Sequence, residues 1–422
     1  MLIEFKVKNF RSFREEQTFS MVADAAAKDE KHPDNLIDCG GSKLVKTAAI
    51  FGANASGKSN LIKALDFVKT FVSLSATRMN LGDSIYGVVP FRLDAEWTGK
   101  PCSFELTILL DGTHYVYGFT ASREKVHEEW LRVKPAKGRL ATWFFREGED
   151  WEVKGPLEKD AALLRERTRD NGLALSRGAE LNIEALRGIF HWFSTCLWVY
   201  DLSAPLTDLT EITASVAGGS GPIKARILKF LQDADLGIAT FDVSEEKESP
   251  LLRLLAETSE IASTKHSIST LHRVSGTDAL VAFRLDQDES KGTQRFFSLA
   301  GPILAAIALG NVMVLDELDC SMHPLLTRMI VRLFQSPEAN KKGAQLIFAT
   351  HDTNLMSPTL MRRDQIWFAE KDQAGATKLF SLYDFEDRPR SDSAFAKNYL
   401  AGRYGAVPSF GPSLEDSELP KE

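Results

Sequence analysis

One stretch constrains the fold more than any other, the segment KTAAIFGANASGKSN at residues 46–60. An apolar run is followed by a glycine-rich loop and the start of a helix, and the pattern G-x-x-x-x-G-K-[ST] is filled by Gly52, Gly57, Lys58 and Ser59. Glycines let consecutive N–H groups turn toward phosphate oxygens, and the helix start adds unpaired N–H groups and the positive end of its dipole. The pattern predicts that Lys58 reaches the β and γ phosphates of a nucleotide and that Ser59 ligates Mg²⁺.

Two acidic residues and a histidine follow later apolar runs. The strand-like segment at 312–316 ends in Asp316-Glu317, and the run at 345–350 is followed by His351. Because parallel strands beside a phosphate loop end at the same edge of a sheet, we predict that Asp316 holds Mg²⁺ through water and that Glu317 polarises an attacking water. His351 either contacts the nucleotide or caps the next turn, and its distance from the acid pair favours the first role.

A polar segment before a long apolar run carries a further candidate. Within residues 289–295, Gly292 and Thr293 can begin a helix that continues from Arg295 to Leu309. A helix N-terminus is a ready site for phosphate. The spacing alone, however, favours an ordinary capped helix.

The composition is typical of globular proteins, with 44% hydrophobic and 26% charged residues among 422. The net charge of −7 argues against a surface devoted to nucleic acid. Local basic spots at 341–342, 362–363 and 388–390 leave DNA binding open. The four scattered cysteines form no C-x-x-C pair, so they indicate neither a disulfide framework nor a zinc site and fit a reducing cytoplasm.

One apolar run, Leu299–Leu315, approaches the length of a short membrane span. Because Gly301, Pro302, Gly310 and Asn311 interrupt it, we predict a buried helix followed by a buried strand instead. The first ten residues, MLIEFKVKNF, alternate like a strand and lack the apolar core of a signal peptide.

The chain divides by pattern into four segments. Asp111-Gly112 between alternating runs predicts a hairpin within an antiparallel meander from Pro90 to Val153. Residues 157–197 show the apolar spacing of helices, and residues 242–275 have no clear pattern. The predicted segments are an N-terminal lobe with the phosphate loop and the meander at 1–155, a mostly helical insertion at 156–275, a C-terminal lobe at 276–407 and a disordered tail at 408–422.

The order of phosphate loop, S-x-G-T helix start, acid-ended strand and strand–histidine resembles the ABC ATPase class. The loop GANASGKSN, with Asn54 and Asn60, and the early Asn9–Ser12 resemble its SMC, RecF and OLD branch. Further segments together resemble the predicted ATPase family of abortive-infection and anti-phage loci, including PARIS-like systems, where the ATPase is typically encoded beside a second, often nuclease-like effector. These segments are PFRLD (Pro90–Asp94), DGTHYVYGF (Asp111–Phe119), DADLGI (Asp233–Ile238), ESKGT (Glu289–Thr293), DELDCSMHP (Asp316–Pro324), RDQIWF (Arg363–Phe368) and YLAGRYGAVP (Tyr399–Pro408).

The resemblance implies an α/β P-loop ABC ATPase head with an antiparallel β lobe, a mostly helical insertion and no long coiled coil. It implies that Glu317 is the base for water and that His351 is the switch histidine that senses the γ-phosphate. Asp319 matches the D-loop aspartate that communicates across a pair of heads, and Arg11 and Ser12 match residues near the nucleotide. The implied Mg²⁺ ligands are Ser59 and Asp316. The resemblance also implies ATP contacts by Gly52, Asn54, Ala55, Ser56, Gly57, Lys58, Ser59 and Asn60. The nucleotide of the opposite subunit is implied to contact Ser290, Lys291, Gly292 and Thr293.

Two features depart from the class. The usual signature L-S-G-G-[QE] is replaced by E-S-K-G-T, and residues 70–100 contain no glutamine for a Q-loop, so a transporter subunit is disfavoured. The segment after His351 has no separated acid cluster of the kind that a nuclease domain needs, so we expect no intrinsic nuclease activity.

The patterns and the resemblance together predict a cytoplasmic ATP-dependent switch. The resemblance implies that two heads close around two nucleotides and that the switch controls an effector protein. A scaffold that binds ATP with little turnover and an SMC- or RecF-like DNA-repair ATPase are the alternatives. Single-turnover hydrolysis separates the scaffold from the active enzyme.

Overall fold

The computed structural model describes residues 1–24, 32–39, 41–218, 222–245, 266–385 and 394–408. Apart from Pro408, the tail predicted at 408–422 lies outside the described residues, as do the basic spot at 388–390 and most of the unassigned segment at 242–275.

The strands of the described residues form four sheets. The strands are β1 Leu2–Lys8, β2 Gln17–Ser20, β3 Leu36–Asp38, β4 Lys43–Val45, β5 Thr47–Phe51, β6 Cys102–Leu110, β7 Thr113–Ala121, β8 Val126–Lys134, β9 Ala141–Glu147, β10 Asp150–Val153, β11 Leu197–Asp201, β12 Ile238–Glu245, β13 His266–Arg273, β14 Leu280–Arg284, β15 Val312–Asp316, β16 Gln345–Ala349, β17 Ile366–Lys371 and β18 Thr377–Ser381. The α-helices are α1 Lys58–Leu74, α2 Ala95–Thr98, α3 Ala161–Arg167, α4 Ala174–Glu180, α5 Glu184–His191, α6 Thr207–Ala217, α7 Pro222–Asp233, α8 Lys291–Leu309, α9 Pro324–Gln335 and α10 Phe395–Leu400.

The predicted meander is part of a seven-stranded antiparallel sheet in the order β10-β9-β8-β7-β6-β1-β2. The predicted hairpin is confirmed: Asp111 and Gly112 connect β6 to β7 with φ angles of 49° and 75°. Two positive φ angles are what a tight turn between twisted strands requires. Smaller sheets are formed by β12, β13 and β14 and by β3 and β4.

A six-stranded sheet carries the candidate site. Its order is β11-β15-β16-β5-β17-β18, and the first five strands are parallel. The strand before the phosphate loop, β5, therefore lies between β16 and β17, with the acid-ended β15 one strand further away. Because the strands are parallel, the residues that follow β5, β15 and β16 lie at one edge of the sheet.

Alternate residues of the central strands pack on opposite faces of this sheet. Ala48 and Ile50 belong to an apolar cluster with α1 and the seven-stranded sheet. Ala49 and Phe51 belong to a second cluster with α8 and α9. Burial on both faces explains why β5, β15 and β16 are continuous apolar runs rather than alternating ones.

The apolar run Leu299–Leu315 divides as predicted. Helix α8 ends at Leu309, Gly310 takes a left-handed conformation with φ 81°, and β15 begins at Val312. Among the described residues, no helix combines the length and apolarity that crossing a membrane requires.

The segment 156–275 contains helices α3 to α7, but three of its parts are strands. β11 joins the central parallel sheet, although residues 157–197 were predicted to be helical and nothing was predicted for 198–201. β12 and β13 pair in the previously unassigned region. The predicted boundaries at 155 and 276 also do not separate sheets, because β5 of the first segment pairs with β16 and β17 of the third.

Candidate nucleotide-binding site

The loop between β5 and α1 has the backbone that the glycine pattern requires. Gly52, Ala55 and Gly57 have φ angles of 150°, 61° and 112°. A Cβ at Gly52 would lie 2.3 Å from the Ala369 carbonyl oxygen, and one at Gly57 would lie 2.2 Å from Thr377 Oγ1. Both glycines are therefore required by close contacts as well as by conformation. Asn54 and Ala55 form the exposed tip of the loop, whereas Ser56 and Gly57 are buried.

Lys58 is buried at the start of α1, and its Nζ donates to the carbonyl oxygens of Gly52 at 2.8 Å and Ala53 at 3.0 Å. Burial lowers the pKa of Lys58, and three carboxylates oppose this shift, the largest contribution coming from Asp316. The ammonium group thus lies between the phosphate loop and the acids that follow β15.

Ser59 and Asp316 lie close together, near enough for the Ser59 side chain to affect the pKa of the Asp316 carboxyl. Burial raises the pKa of Asp316, the Ser59 side chain lowers it, and the nearby charges of Asp201 and Glu317 raise it. Asp316 is 4% exposed, and its Oδ1 has no hydrogen-bond partner in the described part of the chain.

An unpaired buried carboxylate oxygen beside a serine hydroxyl fits Mg²⁺, which commonly takes one or two protein oxygens and completes its shell with phosphates and water. The hydroxyl of Ser56, buried in the phosphate loop and also without a partner in the described residues, fits a phosphate oxygen in the same way. In the described ranges, no group of three or more His, Cys, Asp or Glu side chains could hold a metal ion.

Glu317 and Asp319 lie in the turn after β15, and hydrogen bonds connect this turn to His351 after β16. Glu317 has a φ of 55°, and its carbonyl oxygen accepts from the N–H of Cys320 at 3.0 Å. Both carboxylate oxygens of Asp319 accept from the N–H of His351, at 3.2 and 3.3 Å. Desolvation and then the positive charge of Lys58 lower the pKa of His351. The imidazole is therefore mainly neutral at pH 7, and its position is tied to the loop after β15.

Ser12, which the resemblance places near the nucleotide, lies against the phosphate loop. Its Oγ accepts from Nδ2 of Asn60 at 2.8 Å. Arg11 is placed differently: its N–H donates to the Val89 carbonyl oxygen at 2.7 Å and its guanidinium lies over the ring of Phe10. In the described part of the chain, no hydrogen bond joins the Arg11 side chain to the phosphate loop.

Residues 290–293 begin α8 rather than contact the phosphate loop of their own chain. Ser290 Oγ caps the helix by accepting from the N–H of Thr293 at 3.1 Å, and Lys291 Nζ donates to Gln294 at 3.2 Å. A Cβ at Gly292 would lie 2.8 Å from the Ser321 carbonyl oxygen. The segment is thus packed against the loop after β15, and no hydrogen bond or ion pair of the described residues joins it to residues 52–59.

Two residues of the site were not found from the sequence. Thr377 Oγ1 donates to the Ser56 carbonyl oxygen at 2.7 Å and lies 2.8 Å from Ser12 Oγ. Asp201 ends β11 in register with Asp316 on the neighbouring strand. Its Oδ1 accepts from the N–H and hydroxyl of Ser203, at 2.9 and 2.6 Å. Thr377 has no local sequence signal, whereas an acid at the end of an apolar run, LWVYD, was a signal for Asp201.

Replacing Thr377 with valine is expected to weaken ATP binding about tenfold. The buried Ser56 carbonyl and the Ser12 hydroxyl each lose a hydrogen-bond partner, so the phosphate loop is held less firmly. Titration with a fluorescent ATP analogue measures the change. Thr377→Ser keeps the hydroxyl and is expected to bind like the wild type. If the valine variant and the wild type bind ATP with equal affinity, Thr377 does not contribute to the site.

The topology and the loop together define a P-loop nucleotide-binding protein. The family model described as "AAA domain, putative AbiEii toxin, Type IV TA system" matches residues 48–357, most of the chain, and the protein belongs to this family. This match confirms the resemblance to ATPases of abortive-infection loci. No match to a curated protein is found.

Solved structures similar to the chain include heads of SMC proteins and RecF. An SMC head bound to the C-winged helix domain of ScpA is 14% identical, with 90% of this chain and 97% of that chain covered and a TM-score of 0.44. The SMC head domain from Thermotoga maritima is 15% identical, with coverages of 90% and 98% and a TM-score of 0.40. The recombination mediator RecF with ATP is 12% identical, with coverages of 90% and 97% and a TM-score of 0.33.

Proposed function

We propose that this protein is an ABC-type switch that binds and hydrolyses ATP. The observation that carries the proposal is the convergence of Lys58 with the acids after β15, whose negative charges oppose the burial that lowers the pKa of Lys58. The neutral His351 lies within the same electrostatic reach. Catalysis of phosphoryl transfer consists mainly of positioning and electrostatic stabilisation, which is what such a set supplies.

Each residue has a role that its surroundings support. Lys58 and the loop N–H groups bind the phosphates, and Ser59 and Asp316 hold Mg²⁺, which when bound neutralises phosphate charge. Glu317 accepts a proton from the attacking water. His351 contacts the γ-phosphate, and Asp319 keeps its backbone in place.

The complete site, in this proposal, needs a second copy of the chain. The segment Ser290–Thr293 is an intact helix N-terminus without a bond to its own phosphate loop, so it is available for the nucleotide of the opposite subunit. Gly292 and Arg295 hold this helix start against the loop after β15, since Arg295 Nη1 donates to the Cys320 carbonyl oxygen at 2.8 Å. Closure of two heads would then connect the two nucleotides through Asp319.

We place this switch in the cytoplasm as the sensor or scaffold ATPase of an anti-phage, abortive-infection system, where it controls an effector protein encoded by a neighbouring gene. The family match supports this role. The test is phage plaquing on cells that carry the chain with its adjacent gene. Protection that is lost with Lys58→Ala and with deletion of the adjacent gene is expected, and protection that survives both changes would overturn the role.

Turnover separates this proposal from an ATP-bound scaffold. Under single-turnover conditions, with protein in excess over radiolabelled ATP, the wild type is expected to release phosphate. Retained ATP without phosphate release would support the alternative, a scaffold that binds ATP with little turnover. A mobility shift of duplex DNA that depends on ATP and weakens with salt would instead support a DNA-repair ATPase.

A further inference from the structure

One face of β13 joins the three-stranded sheet of β12, β13 and β14 to the nucleotide-binding half of the protein. His266, Ile268, Thr270 and His272 alternate along this strand, so their side chains share one face. Ile268 and Thr270 are buried, and Ile268 belongs to the apolar cluster that contains α8. The two histidines at the ends of this face each bond a glutamate on a different element.

At one end of the strand, the bond is to Glu289, the residue that precedes the α8 cap. Glu289 Oε1 accepts from the hydroxyl of Thr270 and from Nε2 of His272, the latter at 2.7 Å. The Glu289 side chain is only 9% exposed. A carboxylate that is nearly buried is stabilised by such donors, and removal of its partners is costly.

The next residue, Ser290, holds the first turn of α8. Its Oγ accepts from the N–H of Thr293 at 3.1 Å, and its carbonyl oxygen accepts from the N–H of Gln294 at 2.9 Å. The bonds of Glu289 to β13 therefore set the position of the residue from which the helix starts.

Packing around these bonds is incomplete. A cavity of about 630 Å³ lies beside α6, β13 and the start of α8, and its lining includes His266, Ile268, Lys291, Gln294 and Arg295. Because the sheet does not fill this space, apolar packing alone does not fix the helix start relative to the sheet. The bonds of Glu289 supply that connection.

We propose that Glu289 is a positioning residue that fastens the Ser290–Thr293 segment to the three-stranded sheet, so that movement of the sheet moves the segment offered to the second subunit. The proposal rests on the proposed function for its consequence, the control of head pairing. The bond itself is independent of that function.

The other end of β13 provides a matched control. His266 Nδ1 donates to Glu211 Oε2 at 2.6 Å, and this pair is also partly buried, with side chains 15% and 27% exposed. Glu211 lies on α6 and does not precede Ser290. Glu211→Ala therefore removes the same kind of bond from the same strand without touching the segment.

The experiment is hydrogen exchange of the peptide that spans the first turn of α8, in the full chain without nucleotide. Glu289→Ala is expected to speed exchange of the Thr293 and Gln294 amides about tenfold or more, because the charged acceptor of the bonds from Thr270 and His272 is lost. Glu289→Gln, which keeps an acceptor, is expected to restore part of the protection. Glu211→Ala is expected to leave these amides as in the wild type.

A second measurement tests the effect of Glu289 on ATP-dependent head pairing. ATP affinity, set by the phosphate loop, is expected to stay within about twofold in Glu289→Ala, while ATP-dependent pairing weakens about tenfold. If Glu289→Ala does not fold, Thr270→Val replaces it and is expected to shift both readouts in the same direction. Unchanged amide exchange in the folded variant would overturn the proposal. If exchange is faster in Glu289→Ala but two wild-type chains do not pair when ATP is added, the proposed function is overturned. The role of Glu289 in joining the helix start to the sheet would then still hold.

Discussion

The substitution Glu317→Gln is expected to slow ATP hydrolysis by about 10²–10⁴-fold, the usual effect of removing a general base. Glu317 follows the buried β15 directly and is half-exposed, so its carboxylate can reach a water beside the bound phosphate. The amide has nearly the same size, and Lys58, Ser59 and Asp316 are unchanged. ATP binding is therefore expected to remain close to that of the wild type, and the ATP-bound state is expected to accumulate.

The measurement is phosphate release together with mass by light scattering. We expect the Glu317→Gln protein to double its mass only when Mg-ATP is present, since its bound ATP persists. Glu338→Gln changes an exposed glutamate that is remote from the loop and serves as the control. Wild-type turnover in the Glu317 variant would remove this residue from its role. A mass above that of a monomer with or without ATP would favour a scaffold assembled through other surfaces.

The parts of the site that could be predicted are local in sequence. The strand, loop and helix at 46–60 are contiguous, and the apolar β15 ends in its two acids, so each carries its own signal. Their approach in space follows from the rule that parallel strands end at one edge. The predicted hairpin at Asp111-Gly112 is local in the same way, because two residues determine the turn.

The parts that could not be predicted depend on distant contacts. Thr377 supports the phosphate loop through Ser12, 365 positions away in the chain, and nothing in its own segment indicates that contact. β11 follows α5 and the π-helical turn Trp192–Cys196, and no glycine or proline marks the change from helix to strand. Its place beside β15, and with it the position of Asp201, is set by sheet pairing rather than by local sequence.

Replacing Lys58 with alanine is expected to weaken ATP binding by about 10²-fold or more. An ammonium group that contacts two phosphates contributes two hydrogen bonds to charged groups, each worth roughly 1.5 kcal/mol or more. The fold is expected to survive, because burial already disfavours the charged form of Lys58, as its lowered pKa indicates. Of the two carbonyls that lose their donor, that of Ala53 is only partly buried, so water can replace the donor there.

Calorimetric titration with Mg-ATP measures this loss, and thermal unfolding verifies that the variant is folded. Lys69→Ala, a change of the same kind further along α1, is the matched control and is expected to bind ATP like the wild type. The double variant Lys58→Ala, Glu317→Gln extends the test: its mass is expected to remain unchanged when ATP is added. Doubling of that mass would mean that pairing does not depend on nucleotide in the phosphate loop, and unchanged affinity in Lys58→Ala would contradict the assignment of the loop itself.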